Sequence, residues 1–574
     1  MWLMPHVVTQ SCCADASCVV ACPVNCIHPA PGEPGFGTAE MLYVDADYCV
    51  DCGACVTACP AEAIGPHTKL TEAEQPFLAI NTEYYLHNPH SDRTPLAHVP
   101  EQRRLTRPGP FRVAIVGAGP AGMYAADELL KHPEITVDVF DRLPTPYGLV
   151  RFGVAPDHPS TKHVQKLFRD IERQPGFRYF LDVEVGVDVT HQELRDHYHA
   201  VIYSVGASTD RRLGIRGDHL PGSISATDFV GWYNGHPDKQ DLEVPLDVER
   251  AVVVGNGNVA LDCARILSVD PTDKLDPTDI ADPALARLHA STVREVVVLG
   301  RRGWRQAAFT VPELVGLAGR TDINVVVDTG GEPIVGDDPS ARLLRQMQSH
   351  KPDPALRTIV LRFLTSPVAV LGDERVTGVE VVSNRLQTSE DGTVRAVATD
   401  QTETIAAGLV LRAIGYHGLA VPDLPHDQRS GTVPNSAGRV EPGVYVSGWI
   451  KRGPTGFIGT NKTDSTETVE SLLDDLDSGL LPEPAGDGAT AAKMVRAKRP
   501  NLVDLRGWQA IDREEQRRGS SQGRPRSKIV DVEEMRRIAR SNAQAVRYHP
   551  RRVVRRVSKV ATTGSGRILS KARG

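Results

Sequence analysis

Nine of the ten cysteines of this chain fall within its first 59 residues, and their spacing is that of thiolate metal ligands. Cys49, Cys52, Cys55 and Cys59 read C-x2-C-x2-C-x3-C, with Pro60 directly after. In such a run soft sulfur wraps three ligands round one face of an iron–sulfur cluster, and the fourth cysteine reaches across to a neighbouring cluster. Cys12, Asp15, Cys18 and Cys22 repeat the grid before Pro23, with an aspartate in the second place. Crossing over assigns Cys59 to a first site with Cys12, Asp15 and Cys18, and Cys22 to a second site with Cys49, Cys52 and Cys55. The second site is expected to hold a [4Fe-4S] cluster. The first is expected to hold a [3Fe-4S] cluster, or a [4Fe-4S] cluster with Asp15 as a labile oxygen ligand. Cys26 is left over and expected in the core; Cys13 is an alternative to Cys12. A pair of zinc sites is the competing reading, but zinc requires neither the Cys-Pro endings nor this rhythm.

Two glycine-rich turns mark what fills or drains such a module. Gly117-Ala118-Gly119-Pro-Ala-Gly122 follows the strand-like FRVAIV and opens a helical stretch. The glycines permit a tight turn and a close approach of backbone to a pyrophosphate, whose charge the helix N-terminus favours. The next strand ends in Asp141, 22 residues after Gly119, where a carboxylate accepts hydrogen bonds from ribose hydroxyls. That acid suits FAD or NAD and repels a 2′-phosphate. Gly255-Asn256-Gly257-Asn258-Val259-Ala260 repeats the arrangement, but its next strand ends in Arg301-Arg302. Two guanidiniums match a phosphate by charge-assisted bonds, so this unit is expected to take NADP(H). Cys263, on the following helix, is expected in the core.

The rest of the chain must position these groups. Its 574 residues suffice for three or four domains, and 40% hydrophobic with 24% charged residues is the balance of a soluble globular protein. No apolar run is long enough to span a bilayer, and the first ten residues lack the pattern of a signal peptide, so a cytoplasmic location is expected. The net charge of −7 is unevenly spread: residues 1–66 hold seven acids and no Lys or Arg, whereas residues 542–574 hold nine Lys/Arg and no acid. An acidic head suits self-docking or the steering of a charged partner. The expected organisation is an iron–sulfur domain over 1–66, a linker over 67–109 with at most one packed turn around Tyr84 and Tyr85, a dinucleotide domain in two parts over 110–208 and 409–541, a second one inserted over 209–408, and a basic, unpacked tail over 542–574.

Longer strings carry a resemblance. CVVACPVNCI and CVDCGACVTACPAEAI resemble bacterial two-cluster and seven-iron ferredoxins, although the Cys12-to-Cys18 spacing is shorter than in the seven-iron pattern. TPYGLVRFGVAPDHP (145–159), GNGNVALDCARIL (255–267), GRRGWRQAAFTVPEL (300–314) and GWIKRGPTGFIGTNKTDS (448–465) are similar to the adrenodoxin reductase family of ferredoxin–NADP reductases, over about residues 110–540. The fold class implied is α/β: two Rossmann-like domains for FAD and NADP, the second inserted in the first, behind a small α+β ferredoxin-like domain. The resemblance implies that Asp141 holds the FAD ribose, that Leu149 and Val183 touch FAD, and that Trp449, Gly456, Phe457 and Ile458 line the isoalloxazine. It places Asn256, Gly257, Asn258 and Val259 at the NADP pyrophosphate, Arg211, Arg301 and Arg302 at the adenosine phosphate, and Glu313 towards the nicotinamide. His158 and Glu313 are its candidate proton-handling pair, with a structural cap as the alternative for His158.

The activity implied is that of a ferredoxin–NADP(+) oxidoreductase: NADPH gives a hydride to FAD, the flavin splits the electron pair, and the chain's own clusters or an external acceptor, such as a ferredoxin or a monooxygenase, take single electrons. Joining the acidic head to its reductase replaces diffusional encounter by a high effective concentration. Three other readings compete. Glutamate synthase small subunits share the domain set but place an Ile-Pro-containing stretch after the Tyr-Gly, where this chain has Leu149-Val-Arg-Phe-Gly-Val-Ala-Pro-Asp-His158. A non-catalytic redox sensor would show negligible turnover. Nucleic-acid binding by the tail is not expected, since that segment has a single aromatic residue. A monomer is expected.

Overall fold

The computed structural model describes residues 6–89 and 101–547. The cysteine module is two short ββ pairs related to two short helices. Strand His6–Val8 pairs antiparallel with Ile64–Pro66, and Ile27–His28 with Tyr43–Val44; helices Ser17–Ala21 and Ala54–Ala58 each run between two cysteines of a run. The segment read as a linker does more than connect. Its helix Pro76–His87 packs under both strand pairs. Asn81, fully buried, accepts at Oδ1 from Val8 N–H (3.3 Å) and Val44 N–H (3.0 Å) and donates to Val8 O (3.0 Å). The Tyr85 hydroxyl donates to Tyr43 O at 2.7 Å. A module of about 60 residues buries little apolar surface alone, and this helix adds to its core. Sequence periodicity missed it because its inward side is part polar.

The first dinucleotide domain is a six-stranded sheet in the order Arg439–Glu441, Val444–Val446, Ala200–Tyr203, Phe111–Val116, Ile135–Asp141, Phe177–Leu181. All but the first pairing are parallel. Every residue of Phe111–Val116 is buried, which is why FRVAIV reads as a continuous apolar strand without alternation. The inserted domain is a parallel sheet in the order Ser223–Ser225, Leu409–Arg412, Arg250–Val254, Glu295–Leu299, Thr358–Arg362, Asn324–Asp328, with an antiparallel meander of Thr365–Leu371, Gly378–Thr388 and Val394–Ala406 against it. Leu409–Arg412 lies inside this second sheet, so the boundary expected at 408/409 falls a few residues too early. The chain passes between the domains twice, and the two crossings pair with each other: Thr209–Asp210 against Tyr416–His417.

The C-terminal segment ties the domains together. Glu515, on helix Leu505–Ser520, is fully buried against the Arg151 guanidinium at 2.5 and 3.0 Å, and Lys528 Nζ reaches Asp279 at 3.2 Å in the inserted domain. The basic stretch expected to be an unpacked tail begins within the last helix, Val532–Arg547; residues 548–574 of it lie outside the described residues. No described helix is long and apolar enough to cross a membrane. The apolar core of the inserted domain continues without a break into the cysteine module, from Leu314 and Val315 to Val7, Val8 and Phe77.

Candidate functional site

At the first glycine turn the structure explains each glycine differently. Gly117 has φ 109°, and a Cβ there would lie 2.4 Å from Ser204 O; a Cβ on Gly122 would lie 2.0 Å from Gly117 O. Gly119 is the open one, with Gly148 Cα at 4.0 Å as its nearest neighbour. Helix Pro120–Leu130 begins there without a side-chain cap, so its first amides are free for an anion. Asp141 ends the next strand beside them. It accepts from Ala118 N–H and Leu143 N–H, both at 2.9 Å, while burial pushes its carboxyl up. Leu149 is 36% exposed at the start of helix Leu149–Phe152, an apolar surface beside the turn. Val183 donates to Asp141 O at 2.9 Å and its side chain is in the core, which leaves only its backbone for a cofactor.

The second turn opens a groove of about 850 Å³. Asn256, Gly257, Asn258, Val259, Arg211, Arg301 and Arg302 all line it, as do Trp449, Gly456 and Phe457 from the other dinucleotide domain. Helix Asn258–Ser268 points its uncapped N-terminus into this arrangement. Asn258 is engaged with Thr310, accepting its N–H at 2.9 Å and donating to its hydroxyl at 3.2 Å, so its side chain positions the turn and its backbone faces the groove. Trp449 donates to Thr455 O at 3.1 Å and leans on Tyr416 at 5.1 Å between ring centres. Gln306 Oε1, buried at the groove wall, has no protein partner. An anionic dinucleotide with a further phosphate therefore fits this donor set, and the glycine cradle at Gly119 fits a second one.

His158 and Glu313 are brought together, as expected, but neither lines the groove. His158 Nε2 lies 3.4 Å from Asp262 Oδ1 and 3.8 Å from Glu313 Oε2. The hub of the cluster is Arg265, which sequence reading missed. Arg265 donates to Asp157 at 2.6 and 3.2 Å, to Asp262 at 2.6 Å and to Glu313 at 3.5 Å, and it also contacts His158 Nε2. Its signal was present: Asp262 and Arg265 are three apart on the helix that the glycine turn starts, hence on one face. Burial lifts the Glu313 carboxyl; for His158, burial and Arg265 oppose protonation but the surrounding carboxylates outweigh them and raise it. Asp157 stays well below the usual carboxylate range despite burial, held there by Arg265.

The structure brings Cys22 beside Cys49, Cys52 and Cys55, and Cys59 beside Cys12 and Cys13. Cys22, Cys49, Cys52 and Cys55 line one small cavity. Cys26 is buried, as expected, yet it lines this cavity too, with its Sγ 3.5 Å from Cys22 Sγ. A hydrogen bond from Cys26 holds the Cys22 thiol down to about 5 and Cys49 below its usual range, while at the first site burial pushes Cys12 up to about 11. Cys12, Cys13 and Cys59 cluster at the first site and pack against Ile458. Five sulfurs and His6 line this cavity, and soft thiolates are the ligand type that fits an iron–sulfur cluster.

The acidic module docks on basic groups of the reductase: Glu62 on Lys166, Glu83 on Arg342 at 2.7 Å, and Asp15 near Lys462 at 3.8 Å. Glu40 accepts from Val311 N–H at 2.7 Å at the N-terminus of helix Val311–Ala318. Three consecutive residues then join the sites. Gly456 and Phe457 line the groove, and Ile458 packs on the first cysteine site. Gly459, next in line, donates to Cys13 O at 2.7 Å.

Comparison with known proteins agrees with this division. Residues 42–65 match the 4Fe-4S binding domain and residues 111–294 the pyridine nucleotide-disulphide oxidoreductase family. A ferredoxin/ferredoxin–NADP reductase of Mycobacterium tuberculosis is 49% identical over 563 residues, 93% of this chain and 94% of that protein. Human mitochondrial NADPH:adrenodoxin oxidoreductase is 44% identical over 453 residues, 74% of this chain and 91% of that protein. The solved structure of M. tuberculosis FprA in complex with NADPH, 44% identical, superposes with a TM-score of 0.72 over 75% of this chain and all of that one. With near-complete coverage of a two-part relative and the same two parts docked here through one continuous core, the chain belongs to the ferredoxin/ferredoxin–NADP reductase family.

Proposed function

We propose that the chain is an NADPH-dependent reductase that delivers electrons by way of FAD to its own iron–sulfur module and from there to an external one-electron acceptor, such as a ferredoxin or a monooxygenase. The observation that carries this reading is the run Gly456-Phe457-Ile458, which touches the NADP groove at one end and the first cysteine site at the other. When bound, FAD supplies the conversion between a hydride pair and the single electrons that iron–sulfur clusters accept.

The chain's own groups do the positioning. Arg211, Arg301 and Arg302 hold the adenosine phosphate end, the amides after Gly257 hold the pyrophosphate, and Asp141 orients the FAD ribose. Trp449 and Tyr416 pack together as an aromatic wall of the groove. Arg265 fixes Asp157, Asp262, Glu313 and His158 in one network outside the groove lining, in which His158 Nε2 holds or releases a proton among the carboxylates. Hydride transfer depends more on such alignment than on acid–base help, so these groups position. An external acceptor is served by the other end of the module. Cys52 is an exposed cysteine, with the exposed Val50, Asp47 and Asp51 about it, which suits a partner with an apolar contact and a basic rim.

Stopped-flow mixing of the anaerobic protein with NADPH tests the relay. Flavin bleaching is expected first, followed by loss of cluster absorbance in the same chain. Bleaching with no later cluster change would remove the internal relay from the proposal.

A further inference from the structure

The first cysteine site is built across the junction of the two halves of the chain, and there the reductase half bears on the one expected ligand that is not a cysteine. Asp15, in the position of the missing cysteine, has a side chain only 5% exposed. Its Oδ1 accepts from Ser17 N–H at 3.3 Å and its Oδ2 accepts from the Ser17 hydroxyl. Lys462, on helix Thr460–Asp477 of the reductase, donates to Ser17 Oγ at 3.1 Å and places its ammonium 3.8 Å from Asp15 Oδ2. The backbones are locked at the same point: Gly459 N–H donates to Cys13 O at 2.7 Å, and a Cβ on Gly459 would lie 2.2 Å from Asp15 N. Only glycine allows that approach, so Lys462, three residues on, is delivered to Asp15 by the docking itself.

We propose that Lys462 sets the iron content of the first site, by holding the Ser17 hydroxyl on the Asp15 carboxylate and pairing its charge with that carboxylate, and so withholding it from a fourth iron. The proposal rests on the reading of this site as an iron–sulfur site. A carboxylate offers about four lone-pair positions, and here two are taken by donors of Ser17, whose hydroxyl is itself held by Lys462, while the ammonium 3.8 Å away adds the attraction of its charge. Cys12, Cys18 and Cys59 remain as thiolates, which suffices for a three-iron cluster. A carboxylate oxygen is a hard ligand able to hold one ferrous ion, provided that it is free. The exchange balances without an added oxidant. A reduced, neutral three-iron core takes up one ferrous ion to become a dipositive four-iron core; the Lys462–Asp15 ion pair breaks, one Asp15–iron bond forms, and no electron is left over. The reduced state it starts from is reached with electrons from NADPH. Lys462 is thus a positioning residue for the module, contributed from the far end of the sequence.

The test uses the full-length protein, purified anaerobically, as wild type and as Lys462→Gln, Lys462→Arg and Asp15→Asn. Flavin absorbance and circular dichroism verify folding; Lys462 is 40% exposed, so the fold is expected to tolerate its loss. Each protein is reduced and given ferrous ion, and the three-iron EPR signal after reoxidation is followed together with iron and inorganic sulfide per chain. Wild type and Lys462→Arg are expected to retain the signal. Lys462→Gln is expected to lose it at least tenfold faster while gaining one iron per chain, and Asp15→Asn to retain it under all conditions. Equal rates in Lys462→Gln and wild type would overturn the proposal, as would a four-iron first site in the wild type as isolated. Absence of inorganic sulfide would instead defeat the iron–sulfur reading itself, so the two failures are distinguishable.

Discussion

The two dinucleotide units are built on the same strand–turn–helix plan, yet they differ at the third glycine and at the end of the second strand. In the first, Gly122 has no room for a methyl group, since Gly117 O and Ser204 Oγ occupy its place at 2.0 and 2.7 Å. In the second, Ala260 fills the equivalent place, fully buried. In the first, the strand ends in a carboxylate bonded to the turn's own backbone; in the second, it ends in two guanidiniums directed at a groove. The lesson is that the glycine pattern specifies backbone proximity, whereas ligand identity is written in the charge that the neighbouring strand brings.

The largest effect should come from forcing the units to be alike. Gly122→Ala places a Cβ against backbone that cannot move, so we expect loss of tightly bound FAD and destabilisation of about 3 kcal/mol or more, measured by flavin content after gel filtration and by urea titration. Retention of stoichiometric FAD would mean that the first turn is as tolerant as the second.

The next concerns a buried acid peculiar to the first unit. Glu172 accepts from the Tyr147 hydroxyl at 2.9 Å, next to Gly148 and Leu149, and burial pushes its carboxyl up to about 7. In the unfolded chain the group titrates near its ordinary value of 4.5, so between pH 4.5 and 7 the unfolded state loses a proton that the folded state keeps. Its contribution to stability is therefore fullest below pH 4.5 and declines as pH rises through this window, by at most ~3 kcal/mol. Glu172→Gln should flatten that slope in urea titrations at pH 5 and 7; an unchanged slope would assign the pH dependence elsewhere.

Removing the charge that marks the second unit should matter somewhat less. The double variant Arg301→Ala, Arg302→Ala loses charge-assisted bonds worth roughly 1.5–3 kcal/mol, so KM for NADPH should rise about 10–100-fold while KM for NADH changes little. A parallel rise for both would show that the arginines serve the fold and not the phosphate. The smallest effect is the mirror of the first. Ala260→Gly gives the second unit the glycine of the first, which costs only about 1 kcal/mol of helix propensity and should leave KM for NADPH unchanged.

Much of this molecule was legible from its residues because the informative patterns are local. The cysteine runs, both glycine turns and the charges at the strand ends lie within short stretches whose spacing reflects one loop or one turn, and the cross-pairing of Cys22 and Cys59 follows from that spacing. What was not legible depends on residues distant in sequence. Helix Pro76–His87 read as linker with no more than a turn at Tyr84 and Tyr85 because the buried Asn81 and the half-buried Tyr85 serve two strands through polar atoms instead of an apolar stripe. The strand Leu409–Arg412 was assigned to the wrong domain because periodicity identifies a strand but not the sheet that accepts it. Arg265 was overlooked because its partners Asp157, Asp262 and Glu313 come from three separate segments.

The sequence alone therefore determined which chemistries are present: sulfur ligation, two dinucleotide turns and the sign of charge beside each. Ligand type and loop geometry follow from neighbours along the chain. Tertiary structure alone decided their order in space, since nothing local places Ile458 between Phe457 in the groove and Cys12 and Cys59 in the module, or sets Lys462 beside Asp15. Those adjacencies arise when an acidic domain and its reductase share one continuous apolar core, and burial of that core is a property of the whole fold.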